Sequence, residues 1–170
     1  IAGKYKNRSL KSLSNKIVRP TSATVKKSLF QILEPFENKR VLDLFAGIGS
    51  LGIESISRGA LEVTFVERNK KVAKILRNNL DQICLDDSYS VANIDVIKYL
   101  EKSKSKYDII FADPPYETVE FNDLKLKVIK LLSYKGIFCM ERRFKDDHCK
   151  NVRIKNYGKT QVLIWQNTIK

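Results

Sequence analysis

An α/β fold built on a mostly parallel sheet and finished by an antiparallel hairpin is what this 170-residue sequence predicts. Three observations predict it. From residue 40 onward, short apolar runs alternate with helix-length amphipathic segments, the pattern of βα units. A GxGxxG loop, made by Gly47, Gly49 and Gly52, follows the first apolar run directly and opens a helix. The last two apolar runs are joined only by Asn156-Tyr157-Gly158-Lys159, too short for a crossover helix and rich in turn chemistry.

Residues 1–18 read as a short basic strand or hairpin. Pro20-Thr21-Ser22 then offers a helix start, and Val25, Leu29, Ile32 and Leu33 recur at helical spacing behind it. Apolar, β-branched runs give the strands Val41–Ala46, Val63–Glu67, Tyr89–Ile94, Tyr107–Ala112 and Gly136–Glu141, with Asn151–Lys155 and Gln161–Gln166 forming an edge hairpin. The helices between them are Ser50–Arg58, Asn69–Ile83, Val96–Lys102 and Phe121–Ser133. In the second of these, Val72, Ile75, Leu76, Leu80 and Ile83 form one face, with lysines and arginines opposite, so that face packs on a sheet. The chain is expected to be a single domain, with 1–38 a basic extension plus helix and 39–170 the α/β core.

The formal charge of +13 sits at the two ends. Residues 1–40 carry +8, residues 142–170 carry +6, and the stretch between carries −1. A near-neutral body with basic flanks fits a polyanion such as nucleic acid. No apolar run reaches the roughly 18 residues that span a bilayer, and the first residues lack a secretory signal's apolar stretch. A soluble, cytoplasmic protein without a membrane partner is expected. With Ile1 instead of Met at the start, a few further N-terminal residues are expected. Cys84, Cys139 and Cys149 form no CxxC pair and have only His148 to join them, so no metal is expected.

The glycine loop brings backbone close to a ligand and aims helix N–H groups at it. By spacing alone it suits a dinucleotide equally well. Two acids shift the choice. Asp43 lies four residues before Gly47, where it repels a pyrophosphate and attracts an ammonium or a sulfonium. Glu67 ends the next strand, twenty residues past Gly47, where an acid binds ribose hydroxyls. Asp95 follows the third strand, so three successive strands deliver carboxylates to one sheet edge, where ligands of open α/β sheets bind. The fourth strand ends on Asp113-Pro114-Pro115-Tyr116, an acid, two stiffening prolines and an aromatic ring.

The loop and its acids resemble the class I S-adenosylmethionine-dependent methyltransferases, a Rossmann-like fold with a seven-stranded, mostly parallel sheet and helices on both faces. That resemblance implies S-adenosylmethionine as cofactor and S-adenosylhomocysteine as product. The glycine loop would curl around the methionine part, Glu67 would hold the ribose and Asp95 would contact the adenine. Phe45, Ala46, Arg68 and Asp113 join the expected cofactor set. The DPPY tetrad resembles the [DN]PP[YFW] signature of enzymes that methylate an amino nitrogen conjugated to a planar system. In that role Asp113 and the Pro114 carbonyl accept the two N–H bonds of the amine, and Tyr116 stacks on the ring. The tetrad serves adenine N6, guanine N2 and glutamine amides alike, so it leaves the substrate open, with adenine N6 in DNA the main alternative.

Over nearly the whole chain, IAGKYKNRSL, VRPTSATVKKSLFQIL, DLFAGIGSLGIESISRGA, VER and FADPPY resemble the bacterial small-subunit ribosomal RNA guanine-N2 methyltransferases of the RsmD type. That implies N2-methylation of a guanine in 16S ribosomal RNA, typically guanine-966, within an assembling 30S subunit, by a monomeric enzyme. The RNA-contact candidates are Arg8, Arg19, Thr21, Lys26, Arg142 and Arg143, with Lys27 a further basic neighbour. Two departures stand out. Asn7 replaces the usual glycine, tolerably because asparagine accepts positive φ, and Ile48 and Ser50 occupy loop positions often filled by smaller residues. The absence of room for a target-recognition insertion favours a substrate recognised by its folded shape.

Overall fold

The computed structural model describes residues 1–12, 22–115 and 119–169. Strands β1 (Arg40–Leu44), β2 (Glu62–Val66), β3 (Tyr89–Ala92), β4 (Tyr107–Ala112), β5 (Leu132–Arg143), β6 (Arg153–Tyr157) and β7 (Thr160–Gln166) form one sheet in the order β3-β2-β1-β4-β5-β7-β6. The first five pair in parallel, and β7 runs antiparallel to both β5 and β6. This is the Rossmann-like class I arrangement that the sequence predicts. The hairpin turns on a two-residue loop, Gly158-Lys159, and Gly158 takes φ +60°, which such tight connections demand.

Helices α1 (Ala23–Leu33), α2 (Ser50–Ser57), α3 (Lys70–Ile83), α4 (Val96–Lys102) and α5 (Phe121–Val128) cover the two faces. Alternation along the strands divides the core. Val41, Val63, Phe65, Ile109 and Phe111 pack with side chains of α1, α2 and α3, whereas Leu42, Leu44, Val66, Ile110 and Phe138 pack with those of α4 and α5. Each fully buried large side chain contributes about 1.5–3 kcal/mol, so both faces are needed to hold the sheet. Ser22 caps α1 by accepting from the Val25 amide, as the Pro20-Thr21-Ser22 start anticipates, though Pro20 and Thr21 lie outside the described residues.

Three expectations change. The described part of residues 1–18 holds a 3-10 turn, Gly3–Tyr5, and no strand. Two of its amides are taken by side chains of α2 instead: the Tyr5 amide donates to Ser57 Oγ at 2.9 Å and the Ala2 amide to Glu54 Oε1 at 3.1 Å. Gly3 is required there, because a Cβ would sit 2.1 Å from the Ser57 carbonyl oxygen. Asn7 takes φ +69°, so the turn does survive asparagine. The helix predicted over 121–133 stops at Val128 and passes through a 3-10 turn, Ile129–Leu131, into the sheet. Strand β5 begins at Leu132, four residues before its predicted start, because the register jumps from Tyr107–Leu132 to Ile109–Ile137 and the intervening Ser133-Tyr134-Lys135-Gly136 bulges out.

Candidate active site

The chain leaves β1 outward through β2 to β3, then returns to place β4 on the other side of β1. A crevice therefore opens between the C-terminal ends of β1 and β4. Beyond β1, Phe45 takes φ +59°, Gly47 +56° and Gly49 +95° before α2 begins. The loop is pinned by Ala46 N–H donating to the Val66 carbonyl and Gly49 N–H to that of Ala46, both at 2.9 Å. Gly52 has a packing reason: a Cβ there would lie 2.1 Å from the Phe65 ring. Its absence lets α2 settle on β2 until the Gly52 amide reaches Asp43 Oδ2 at 2.8 Å.

Asp43 is 2% exposed, and its pKa is pushed up to about 7. Burial is the main cause and outweighs the Gly52 hydrogen bond, while the charges of Asp113 and Glu67 push in the same direction as burial. Asp43 thus does two things: it caps α2, and it leaves a negative charge in the crevice that no cation among the described residues offsets. Glu67 is held from both sides, Oε2 by the Gly47 amide at 3.0 Å and Oε1 by the Asn69 amide at 2.7 Å. Arg68 is exposed, and its carbonyl, with that of Glu67, accepts from Asn93 Nδ2. Asp95 caps α4, its Oδ1 accepting from the Ile97 amide at 2.9 Å and the Lys98 amide at 3.4 Å. Asp43, Glu67 and Asp95 thus lie at successive strand ends on one edge, as their spacing predicts.

Asp113 follows β4 on that same edge, and its charge reaches Asp43. It also borders a second space. A cleft of about 440 Å³, part of it open to solvent, has Asp113, Pro114, Pro115, Glu120, Glu141 and Arg143 among its lining residues. Asp113 therefore stands where the β1 crevice and the β4–β5 cleft meet. Tyr116 lies outside the described residues, as do Arg19 and Thr21.

The remaining basic candidates are engaged to different degrees. Arg142 pairs with both carboxylate oxygens of Asp147 and donates to Gln161 Oε1 at 3.0 Å, with its side chain only 8% exposed. Lys26 Nζ lies 3.4 Å from Glu54 Oε2. Arg8 is exposed and reaches the Gln82 carbonyl, and Arg143 is exposed on the cleft wall. Among the described residues no cluster of metal-ligating side chains occurs, and no helix is long and apolar enough to cross a membrane.

Sequence reading passed over three residues. Buried Asn79 donates to the carbonyls of Ile48 and Lys11 and accepts from the Lys11 amide, tying the glycine loop to the N-terminal arm. Buried Glu54 gathers Arg58, Lys26 and the Ala2 amide, which outweigh the effect of burial and hold its carboxyl below the ordinary range. Glu141 lines the cleft beside Asp113. Asn79 and Glu54 are polar residues within amphipathic helices, where sequence gives no sign that the position is buried.

Ribosomal RNA small subunit methyltransferase D of Haemophilus influenzae is 39% identical to this chain over 120 residues, 68% of this chain and 62% of that protein. The protein of the same name from Buchnera aphidicola is 38% identical over 120 residues, covering 69% and 61%. The chain thus spans about three fifths of the length of these relatives. The solved structure of Escherichia coli yhhF matches with a TM-score of 0.88 at 25% identity, over 100% of this chain and 97% of that one. An RNA methyltransferase from Salinibacter ruber, solved with S-adenosyl-L-homocysteine, shares the fold with a TM-score of 0.72 at 16% identity, over 89% of this chain and 95% of that one. The family model described as Conserved hypothetical protein 95 matches residues 1–166, and the chain belongs to that family.

Proposed function

We propose that this protein transfers a methyl group from S-adenosylmethionine to the exocyclic N2 amine of a guanine in 16S ribosomal RNA. The observation that carries the reading is the meeting of Asp43 and Asp113 at one sheet edge, on adjacent parallel strands, with the glycine loop on one side and the β4–β5 cleft on the other. The ribosomal RNA methyltransferases among its relatives support the substrate class.

The residues of the crevice fit the cofactor. A buried carboxylate pushed up to about 7 gains most from a cationic ligand, which Asp43 would find in an ammonium and a sulfonium. Glu67, its carboxylate fixed by two amides, would hold the ribose hydroxyls, and Asp95 and Arg68 border the adenine end. When bound, S-adenosylmethionine supplies an electrophilic methyl group on a positively charged sulfur.

The protein's work is alignment. A base amine is a poor nucleophile, because its lone pair is delocalised into the ring. Asp113 and the Pro114 carbonyl accept its two N–H bonds, drawing the nitrogen toward a tetrahedral shape whose lone pair faces the crevice. Two consecutive prolines keep those acceptors rigid. Tyr116 stacks on the base, and the proton leaves the nitrogen through Asp113 as the N–C bond forms. Arg8, Arg19, Thr21, Lys26, Arg142 and Arg143 are the candidate RNA-facing positions, with exposed Arg8 and Arg143 the foremost of those described.

The test is tritiated methyl transfer to small ribosomal subunits and to naked 16S RNA, followed by nucleoside analysis. N2-methylguanosine is the expected product. Asp113→Ala should reduce transfer by roughly 100-fold or more while S-adenosylhomocysteine still binds, and Tyr116→Ala should weaken transfer strongly. Methylation of duplex DNA at adenine, with no transfer to ribosomal RNA, would overturn the reading.

A further inference from the structure

The geometry points to Glu141 as the residue that makes the cleft selective for guanine: it accepts the ring N1–H while Asp113 holds the neighbouring amine. This rests on the methyl-transfer reading above and names the group that reads the base.

The placement comes from strand register. Ala112 of β4 pairs with Met140 of β5, so Asp113 and Glu141 are the next positions along two parallel neighbours about 4.8 Å apart. Both line the same cleft, together with Pro114. Glu141 is half-buried, and its backbone is pinned on the other side by pairing with Val162 of β7. A carboxylate on a fixed strand is a better reading head than one on a loop. The other acid of the cleft, Glu120, is exposed and lies off the sheet, at the start of α5.

The chemistry follows from donor patterns. Guanine presents N1–H beside the 2-amine, a continuous row of donors. Adenine and cytosine present an amine beside an unprotonated ring nitrogen, which is an acceptor. An ionised carboxylate only accepts. A second carboxylate next to the one that holds the amine therefore completes guanine's donor row and sets acceptor against acceptor for the other two bases. Rejecting a base in this way sets like polar groups against each other, a stronger penalty than poor fit alone.

The test uses reconstituted small-subunit particles whose RNA carries, at the methylated position, either guanine or 2-aminopurine, which keeps the 2-amine but lacks N1–H. Wild-type protein should prefer guanine by roughly 10- to 100-fold in kcat/KM, the range of one charged hydrogen bond. Glu141→Gln can donate from its amide to the bare N1 of 2-aminopurine, so the preference should collapse to within about threefold. Glu141→Ala should lose guanine transfer by roughly 10- to 100-fold without gaining 2-aminopurine transfer. Calorimetric binding of S-adenosylhomocysteine should be unchanged in both variants, which separates base reading from misfolding. If Glu141→Gln transfers methyl groups and keeps the wild-type preference, the assignment of Glu141 is overturned while the methyl-transfer reading stands. If the wild-type protein methylates neither particle, both fall.

Discussion

Asp43→Asn removes one charge from the crevice while keeping an oxygen for the Gly52 amide, so it isolates the electrostatic part of the site. In the ligand-free protein Asp43 has its pKa raised from 3.8 to about 7, chiefly by burial and further by the charges of Asp113 and Glu67. An acid whose folded pKa is raised binds a proton in the native state that the unfolded chain has already released. Its contribution to stability is therefore fully present below about pH 4 and is lost as pH climbs to about 7. A tenfold change in proton affinity is worth about 1.4 kcal/mol, so the wild-type protein loses up to about 4 kcal/mol across that window through this one group. Asparagine does not titrate. Urea unfolding of both ligand-free proteins at pH 5, 6, 7 and 8 should show the variant gaining on wild type by up to about 1.4 kcal/mol for each pH step, with the gap flattening above pH 7.

Binding should run the other way. Loss of the charge that meets the ammonium should weaken S-adenosylhomocysteine by roughly 10- to 150-fold, from about 1.5–3 kcal/mol for a hydrogen bond to a charged group. S-adenosylmethionine, with its additional sulfonium, should lose more. Calorimetry in buffers of different ionisation enthalpy should detect a proton released by wild type on binding near pH 7 and none by the variant. A stability gap that is flat with pH, together with unchanged affinity, would refute the placement of an uncompensated carboxylate at the end of β1.

Other perturbations test the frame around the site. Gly52→Ala should destabilise by about 1–3 kcal/mol through overpacking, since its Cβ would fall 2.1 Å from the Phe65 ring, and shrinking that ring with Phe65→Leu in the same chain should recover much of the loss in urea unfolding. Glu54→Ala should cost about 1–3 kcal/mol, because Lys26 and the Ala2 amide lose a buried acceptor while Arg58 keeps Glu34, and the m-value should stay constant if only the folded state is affected. Asn79→Ala removes three hydrogen bonds shared with Lys11 and Ile48; a loss of about 2–3 kcal/mol and faster amide exchange at Lys11 are expected.

The sequence carried the architecture because most of it is written in local periodicity. Strand β4 and helix α4 have the boundaries that pattern alone suggests, and Ser22 is the helix cap that its neighbours imply. Local pattern failed where tertiary contacts decide. The stretch Ser133-Tyr134-Lys135-Gly136 has turn chemistry, and it does bulge, yet pairing of Leu132 with Tyr107 keeps it inside a strand. The N-terminal arm has no periodicity of its own, because its backbone partners are Glu54, Ser57 and Asn79 on helices far away in sequence. Glu67, Asp95 and Asp113 were legible because each closes or follows an apolar run, and Asp43 because it interrupts one just before the glycine loop. Glu141 also ends an apolar run, Gly136–Glu141, but no motif beside it marks it as lining a cleft.

The reversal of strand order explains why those acids can act together. Asp43 and Asp113 are 70 residues apart in the chain, yet β1 and β4 are hydrogen-bonded neighbours, and the two side chains sense each other's charge. In a protein of net charge +13, carboxylates gathered at one edge are the local exception. Repulsion among them raises the cost of ionising Asp43, and a cation entering the crevice relieves it. By thermodynamic reciprocity, whatever Asp113 contributes to that repulsion is returned as affinity for the cation. A donor-rich base bound on the β5 side as proposed would draw on the same charge, because Asp113 borders both spaces. On the proposed reading, a positively charged ligand meets Asp43 on one side and a row of N–H donors meets Asp113 on the other, so both relieve one shared repulsion without competing for the same carboxylate.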